Sequence, residues 1–259
     1  MINKQLRRIQ INDISKVFNT DTSNNSILLR LLSLFTGKEL QKPFKALTNI
    51  SLDAYDGENI GIIGKNGSGK STLLRLIANI YPHNGKIITN GKLFYTNGFG
   101  LGFRQRLTMR ENIYLVGLIM GLSKSEINEI FDEIVSFSEL NEFLDTKVYK
   151  FSSGMINRLR FSVTIHCLEY KKPEIILLDE VFGGGGDISF QDKALEKIKE
   201  FIESNATVIL VSHDMNIIRK YCDRVIFIHD GQIISDGDPE KTIDAYLTLI
   251  KKPKTPITI

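Results

Sequence analysis

Residues 64–72 read Gly64-Lys65-Asn66-Gly67-Ser68-Gly69-Lys70-Ser71-Thr72, which fits G-x-x-x-x-G-K-[ST] at every fixed position. The residue types define the chemistry. Glycines let a backbone come close to a phosphate and turn its N–H groups toward it. A helix starting at the loop adds the positive end of its dipole. The Lys70 ammonium has the reach for β and γ phosphates, and the Ser71 hydroxyl is a ligand for Mg²⁺. The plainer account is a glycine-rich strand-to-helix turn with no ligand. It loses force here, because strand, loop and helix stand in the required order.

Two further groups complete a phosphate chemistry. Glu174-Ile-Ile-Leu-Leu-Asp179-Glu180 is an apolar run ending in two acids, and parallel sheets place ligands at the carboxyl ends of their strands. Asp179 is assigned to the metal, opposite Ser71. Glu180 is assigned to the attacking water, which hydrolysis needs aligned. Alone, such a pair would be a solvated strand end; the glycine-rich loop changes that balance. Val208-Ile-Leu-Val211 leads to Ser212-His213-Asp214. An imidazole beside a γ-phosphate can donate a hydrogen bond and sense its presence, so His213 joins the candidate catalytic residues. His83, His166 and His229 have no such setting and are read as structural.

Positioning these groups requires alternating strands and helices. Short apolar runs predict buried strands at Asn59–Ile63, Ile175–Asp179, Val208–Ser212 and Val225–His229. Asp230-Gly231 predicts a hairpin into Gln232–Ser235. Helical patterns lie at Ser71–Asn79, Lys124–Ser136, Met155–Glu169, Phe190–Glu203 and Met215–Cys222. That alternation predicts an α/β fold with a largely parallel sheet covered on both faces. From about Arg104 to Tyr170 the pattern is helix after helix, which predicts an inserted helical lobe.

Composition narrows the classes. A chain of 259 residues with 42% apolar residues can bury a sizeable core. Its 33 basic and 30 acidic residues leave +3, too mild for the clustered basic excess typical of nucleic-acid binding. Cys167 and Cys222 are the two cysteines, far apart and outside CxxC spacing, so neither a disulfide scaffold nor a zinc module is expected. No apolar run reaches about 18 residues, so no membrane span is expected. The stretch from Met1 lacks the apolar segment of a secretory signal.

A further motif decides the class. Phe151-Ser152-Ser153-Gly154-Met155 precedes another helical pattern and makes a second phosphate-ready helix start. In this order the parts resemble the ABC ATPase family, over about Ile11 to Leu247. The signature loop is Phe-Ser-Ser-Gly-Met where much of the family has Leu-Ser-Gly-Gly-Gln. Together with Gly100-Leu-Gly-Phe103, the run Leu107 to Tyr114 and Gly186-Asp187-Ile-Ser-Phe190-Gln191, it is similar to the ATP-binding subunits of bacterial polysaccharide exporters. The resemblance implies a P-loop ABC ATPase core with a mainly parallel sheet, an antiparallel N-terminal β part and an inserted helical lobe. The expected boundaries are one domain over 1–250 (core 1–103 and 171–250, lobe about 104–170), an insertion at 19–43 and a tail at 251–259. No C-terminal carbohydrate-binding domain is expected. The resemblance also implies ATP and Mg²⁺, a homodimer of ATPase subunits, two copies of a separate transmembrane permease and a lipid-linked glycan cargo. The setting would be the cytoplasmic face of the bacterial inner membrane. Ser152, Ser153 and Gly154 would contact the γ-phosphate held by the other copy, and Asp187 would be the D-loop aspartate, counted with the nucleotide-binding residues.

Some positions depart from the family pattern. Phe99 falls near the place where most relatives have a glutamine, and Gln105 is out of place, so no Mg²⁺ role is assigned there. Gly183–Gly186 puts Asp187 one residue further from Glu180 than the pattern has it. Phe18 is the best match for an aromatic stacking on adenine, with Phe44 the weaker candidate and a core role open for either. The insertion carries Ile27-Leu-Leu-Arg-Leu-Leu-Ser-Leu-Phe35, which packs on the core in the plainer reading or lies near the membrane partner in the sharper one. Alternative functions are an ABC ATPase for another cargo and a soluble ABC ATPase without a membrane partner.

Overall fold

A computed structural model of the chain describes residues 6–18, 43–98, 102–180 and 188–251. The expected insertion (apart from Pro43), Phe99, the four-glycine run with Asp187, and the tail beyond Lys251 lie outside the described residues. Two sheets share one body. Strands β1 (Arg7–Phe18), β2 (Phe44–Tyr55) and β4 (Asn84–Thr89) form a three-stranded antiparallel sheet in the order β2-β1-β4. Strands β3 (Asn59–Ile63), β5 (Leu93–Asn97), β6 (Ile175–Asp179), β7 (Thr207–Val211), β8 (Arg224–His229) and β9 (Gln232–Gly237) form the larger sheet, in the order β5-β6-β7-β3-β8-β9. All its pairs are parallel except β8–β9, the hairpin turned by Asp230-Gly231. The expected α/β fold with a mainly parallel sheet and an antiparallel β part is what the chain adopts.

Strands β6 and β7 are buried along their whole length, and β3 is buried from Ile60 to Ile63. Their richness in Ile, Leu and Val follows, since both faces of a parallel sheet are covered by other elements. Register then fixes the edge where the three strands end. Asp179 stands opposite Val211, and Val211 opposite Ile62. The residues just beyond, Gly64, Glu180 and His213, therefore emerge together.

Seven α-helices are described. Helix α1 (Lys70–Ile77) buries Leu73, Leu74, Leu76 and Ile77 against the sheet, each such side chain contributing about 1.5–3 kcal/mol of apolar transfer. Helices α2 (Met109–Ile119) and α3 (Lys124–Ser138) open with reciprocal capping boxes, Thr108 with Glu111 and Ser123 with Glu126. Helix α4 (Ser153–Lys171) has apolar residues on all sides, the pattern of a helix buried all round. Leu159, Val163 and Cys167 enter a cluster with α2 and α3, whereas Phe161, Ile165 and Leu168 enter one with the sheet. Helices α5 (Ile188–Ile202), α6 (Met215–Tyr221) and α7 (Pro239–Lys251) cover the sheet on that second face. No helix of the described residues is long and apolar enough to cross a membrane. Cys167 and Cys222 are free and buried, and burial pushes both thiols up to about 12.

Candidate functional site

The glycine-rich loop leaves β3 at Gly64 and enters α1 at Lys70. Gly64 has φ +154° and passes so near the Ile228 carbonyl that a Cβ would lie 2.2 Å from that oxygen, so glycine is required by space. Inside the loop the Ser68 N–H donates to the Lys65 carbonyl at 3.1 Å, and Leu73 N–H donates to Gly69 at 2.9 Å. From behind, the hairpin tip holds it: Gly231 N–H donates to the Ser68 carbonyl at 3.1 Å, and the Gly231 carbonyl accepts from Thr48 N–H at 2.8 Å.

Lys70 is 5% exposed. Its Nζ donates to the Gly64 and Lys65 carbonyls at 2.9 and 3.0 Å. Burial lowers its pKa, while the charges of Glu180 and Asp179 pull it back up. The ammonium is parked over its own loop, on carbonyls that an arriving phosphate can replace. Asp179, 1% exposed, accepts from the Ser71 hydroxyl at Oδ1 (3.0 Å) and from Tyr95 at Oδ2 (3.4 Å). Burial raises its pKa, the Ser71 hydrogen bond lowers it, and the neighbouring Glu180 raises it again.

Glu180 takes φ +55°, the left-handed region, which a non-glycine residue occupies at some cost in strain. Its N–H donates to the Val211 carbonyl at 3.1 Å. The bend carries its carboxylate to His213, with Oε1 at 3.0 Å from Nε2. These side chains are about half exposed, 52% and 49%, as groups that meet water must be.

Phe44, Ala46, Asn66, Gly67, Gly69, Lys70, Ser71, Thr72, Glu180 and His213 line one cleft of about 460 Å³. Phe44 offers a 54% exposed residue there. The aromatic in this wall is thus Phe44. Phe18, the better sequence match for that role, packs edge-on against Tyr81 with ring centroids 5.4 Å apart. Tyr95 carries no comparable sequence signal, because half-buried β5 lacks a strong apolar run, and Arg75 reads as an ordinary basic residue in the last turn of α1. Another cavity, about 370 Å³, opens at the amino ends of β6 and β7. Of its three acids, Glu169 and Glu200 are paired with Lys197 and Glu174 accepts from the Lys92 N–H at 2.6 Å, so the reactive groups point to the first cleft.

Ser152, Ser153 and Gly154 do not line that cleft. Ser152 is the N-cap of α4, its Oγ accepting from Met155 N–H at 3.2 Å, and Ser153 begins the helix with its side chain exposed.

The sequence pattern of the ABC transporter family matches residues 47–183, more than half of the chain. The chain belongs to that family. The O-antigen export system ATP-binding protein RfbB of Klebsiella pneumoniae is 38% identical over 218 residues, covering 84% of this chain and 85% of RfbB. The teichoic acids export ATP-binding protein TagH of Lactococcus lactis is 41% identical over 207 residues, covering 80% of this chain and 43% of TagH. This chain therefore spans under half the length of that second relative. Among solved structures, an ATP-binding subunit of an ABC transporter superposes with a TM-score of 0.69 at 20% identity, over 95% of this chain and 100% of the other. A dimeric ATP-binding cassette with ADP and Pi superposes at 0.63 and 22% identity, over 89% and 98%. At those identities the likeness is one of fold.

Proposed function

We propose that the chain is the ATP-binding and ATP-hydrolysing subunit of an ABC exporter that moves a lipid-linked polysaccharide across the bacterial inner membrane. The observation that carries the catalytic half is the hydrogen-bonded Glu180–His213 pair, set in the same cleft as Lys70 and Ser71. The export half rests on relatives named for O-antigen and teichoic acid export. On this reading Phe44 stacks on the base, in place of Phe18. The N–H groups of residues 65–72 cradle the phosphates, and Lys70 turns from the Gly64 and Lys65 carbonyls to the β and γ oxygens. The γ-phosphate sits before Glu180, whose carboxylate orients and polarises the attacking water. His213 holds that carboxylate in place and reads the γ-phosphate.

A divalent cation of the Mg²⁺ type fits the donors present. Ser71 Oγ and Asp179 Oδ1 are hard oxygens 3.0 Å apart, and no cluster of three or more His, Cys, Asp or Glu groups fit to hold a metal occurs among the described residues. Mg²⁺ takes few protein oxygens and fills its sphere with water and phosphate. When bound it neutralises charge that develops on the phosphates.

The signature residues Ser152, Ser153 and Gly154 lie outside the chain's own cleft, which supports a second copy presenting them to it. Two permease subunits and a position on the cytoplasmic face complete the assembly. The test is purification with a membrane-spanning permease, then ATPase assay with and without lipid-linked glycan. Glu180→Gln is expected to keep ATP affinity and to lower turnover by about 10²-fold or more. A fully active variant overturns the role of Glu180.

A further inference from the structure

Tyr95 stands on β5, one strand away from the acids that end β6. It pairs in register with Leu177, two residues before Asp179 on the neighbouring strand. Side chains two positions apart on adjacent strands share a face, and a tyrosine is long enough to span that diagonal. The ring packs against the apolar cluster of the sheet and α1, which leaves its hydroxyl at the polar edge. There it accepts from Arg75 Nε at 3.2 Å and lies 3.4 Å from Asp179 Oδ2. Arg75, in the last turn of α1, is itself steadied by donating through Nη1 to the Tyr81 hydroxyl at 3.3 Å.

The proton direction follows from counting donors. An arginine only donates, so the N–H from Arg75 occupies a lone pair of the Tyr95 oxygen. The single phenolic proton is then directed to the carboxylate. Asp179 is held at both oxygens, by Ser71 at Oδ1 and by Tyr95 at Oδ2. These tethers differ in kind. Ser71 is the hydroxyl that would serve as a ligand, so its hydrogen bond to Asp179 would change when a cation arrives. Tyr95 lies on the far oxygen and stays a donor throughout. At 3.4 Å the contact is longer than the usual O–H···O range, as catalytic contacts often are before ligands draw them in.

We propose that Tyr95, with its proton aimed by Arg75, is a positioning residue that fixes the rotation of the Asp179 carboxylate for the divalent cation of the nucleotide site. The inference rests on the ATPase reading of the cleft. Groups that orient a ligand from behind typically contribute about 10–100-fold to metal affinity. Because Mg²⁺ keeps much of its sphere in water and phosphate, the lower end is expected.

The probe is Mn²⁺, followed by electron paramagnetic resonance in the presence of a non-hydrolysable ATP analogue. Tyr95→Phe keeps the packed ring and removes only the hydroxyl. It is expected to weaken Mn²⁺ binding about tenfold and to leave analogue binding in EDTA unchanged. Its turnover should fall at limiting Mg²⁺ and recover at saturating Mg²⁺, with KM for ATP unchanged under saturation. A merely structural loss would lower Tm and analogue affinity together without this dependence on cation concentration. Arg75→Met leaves the phenol in place but frees its proton to turn, and a smaller loss of Mn²⁺ affinity is expected. Unchanged Mn²⁺ affinity in both variants overturns the proposal. If the unaltered chain hydrolyses no ATP, the ATPase reading fails instead, and the Mn²⁺ measurement still reports on Tyr95.

Discussion

Asp179 carries its carboxylate into a position where almost no solvent reaches it, with one hydroxyl at each oxygen. Burial raises its pKa above the unfolded value. In the interval between those two values the folded chain binds more protons than the unfolded one, so stability falls as pH rises through it, and the loss is complete above the folded value. Above that interval the free protein bears the full penalty of a desolvated charge. Asp179→Asn is expected to raise the Tm of the nucleotide-free protein at pH 7, to show little of that gain near pH 3, and to abolish cation-dependent hydrolysis. Thermal denaturation at the two pH values checks the first part, and an unchanged or lower Tm at pH 7 contradicts it. The contrast in stability and activity would mark Asp179 as a group kept for function at the expense of stability.

Ser152 belongs to the scale of the element. It caps α4, whose two apolar flanks join the helical cluster to the sheet, so its loss is felt in both. Ser152→Ala is expected to lower stability by about 1 kcal/mol. Ser152→Asp preserves the cap and suits the helix dipole, but places a negative charge where a second copy's γ-phosphate is proposed to bind. That variant should be as stable as the unaltered chain and inactive in hydrolysis; robust activity would remove Ser152 from the phosphate site. Much of this was legible in sequence, because strand, loop and cap are local patterns: the phosphate loop, the acids ending β6 and the Asp230-Gly231 turn lie in contiguous residues. What escaped depends on contact across distance. Arg75, Tyr95 and Asp179 meet through packing of α1 on adjacent strands. Phe18 and Phe44 are cross-strand partners in an irregular register, and no local pattern tells which of them faces the cleft.

At the scale of the whole molecule, the tip of the β8–β9 hairpin is where three parts meet. Gly231 bonds to the phosphate loop through Ser68 and to the antiparallel sheet through Thr48. With φ +75° and a Cβ position 2.7 Å from the Ala46 carbonyl, it has no room for a side chain. The left-handed conformation alone costs an alanine about 1–2 kcal/mol, and the clash adds to it. Gly231→Ala is expected to lower Tm by about 4–8 °C and to weaken ATP binding, measured by calorimetry, although residue 231 does not line the cleft. Unchanged affinity would show that the loop holds its shape unaided. The clamp also sets an order of events during synthesis. The chain emerges from the ribosome N-terminus first, so the phosphate loop is made more than 150 residues before the hairpin that braces it. Long-range closures of this kind form late. Competence to hold a nucleotide thus waits for the hairpin, which is made after all the helices and strands that lie between the two in sequence.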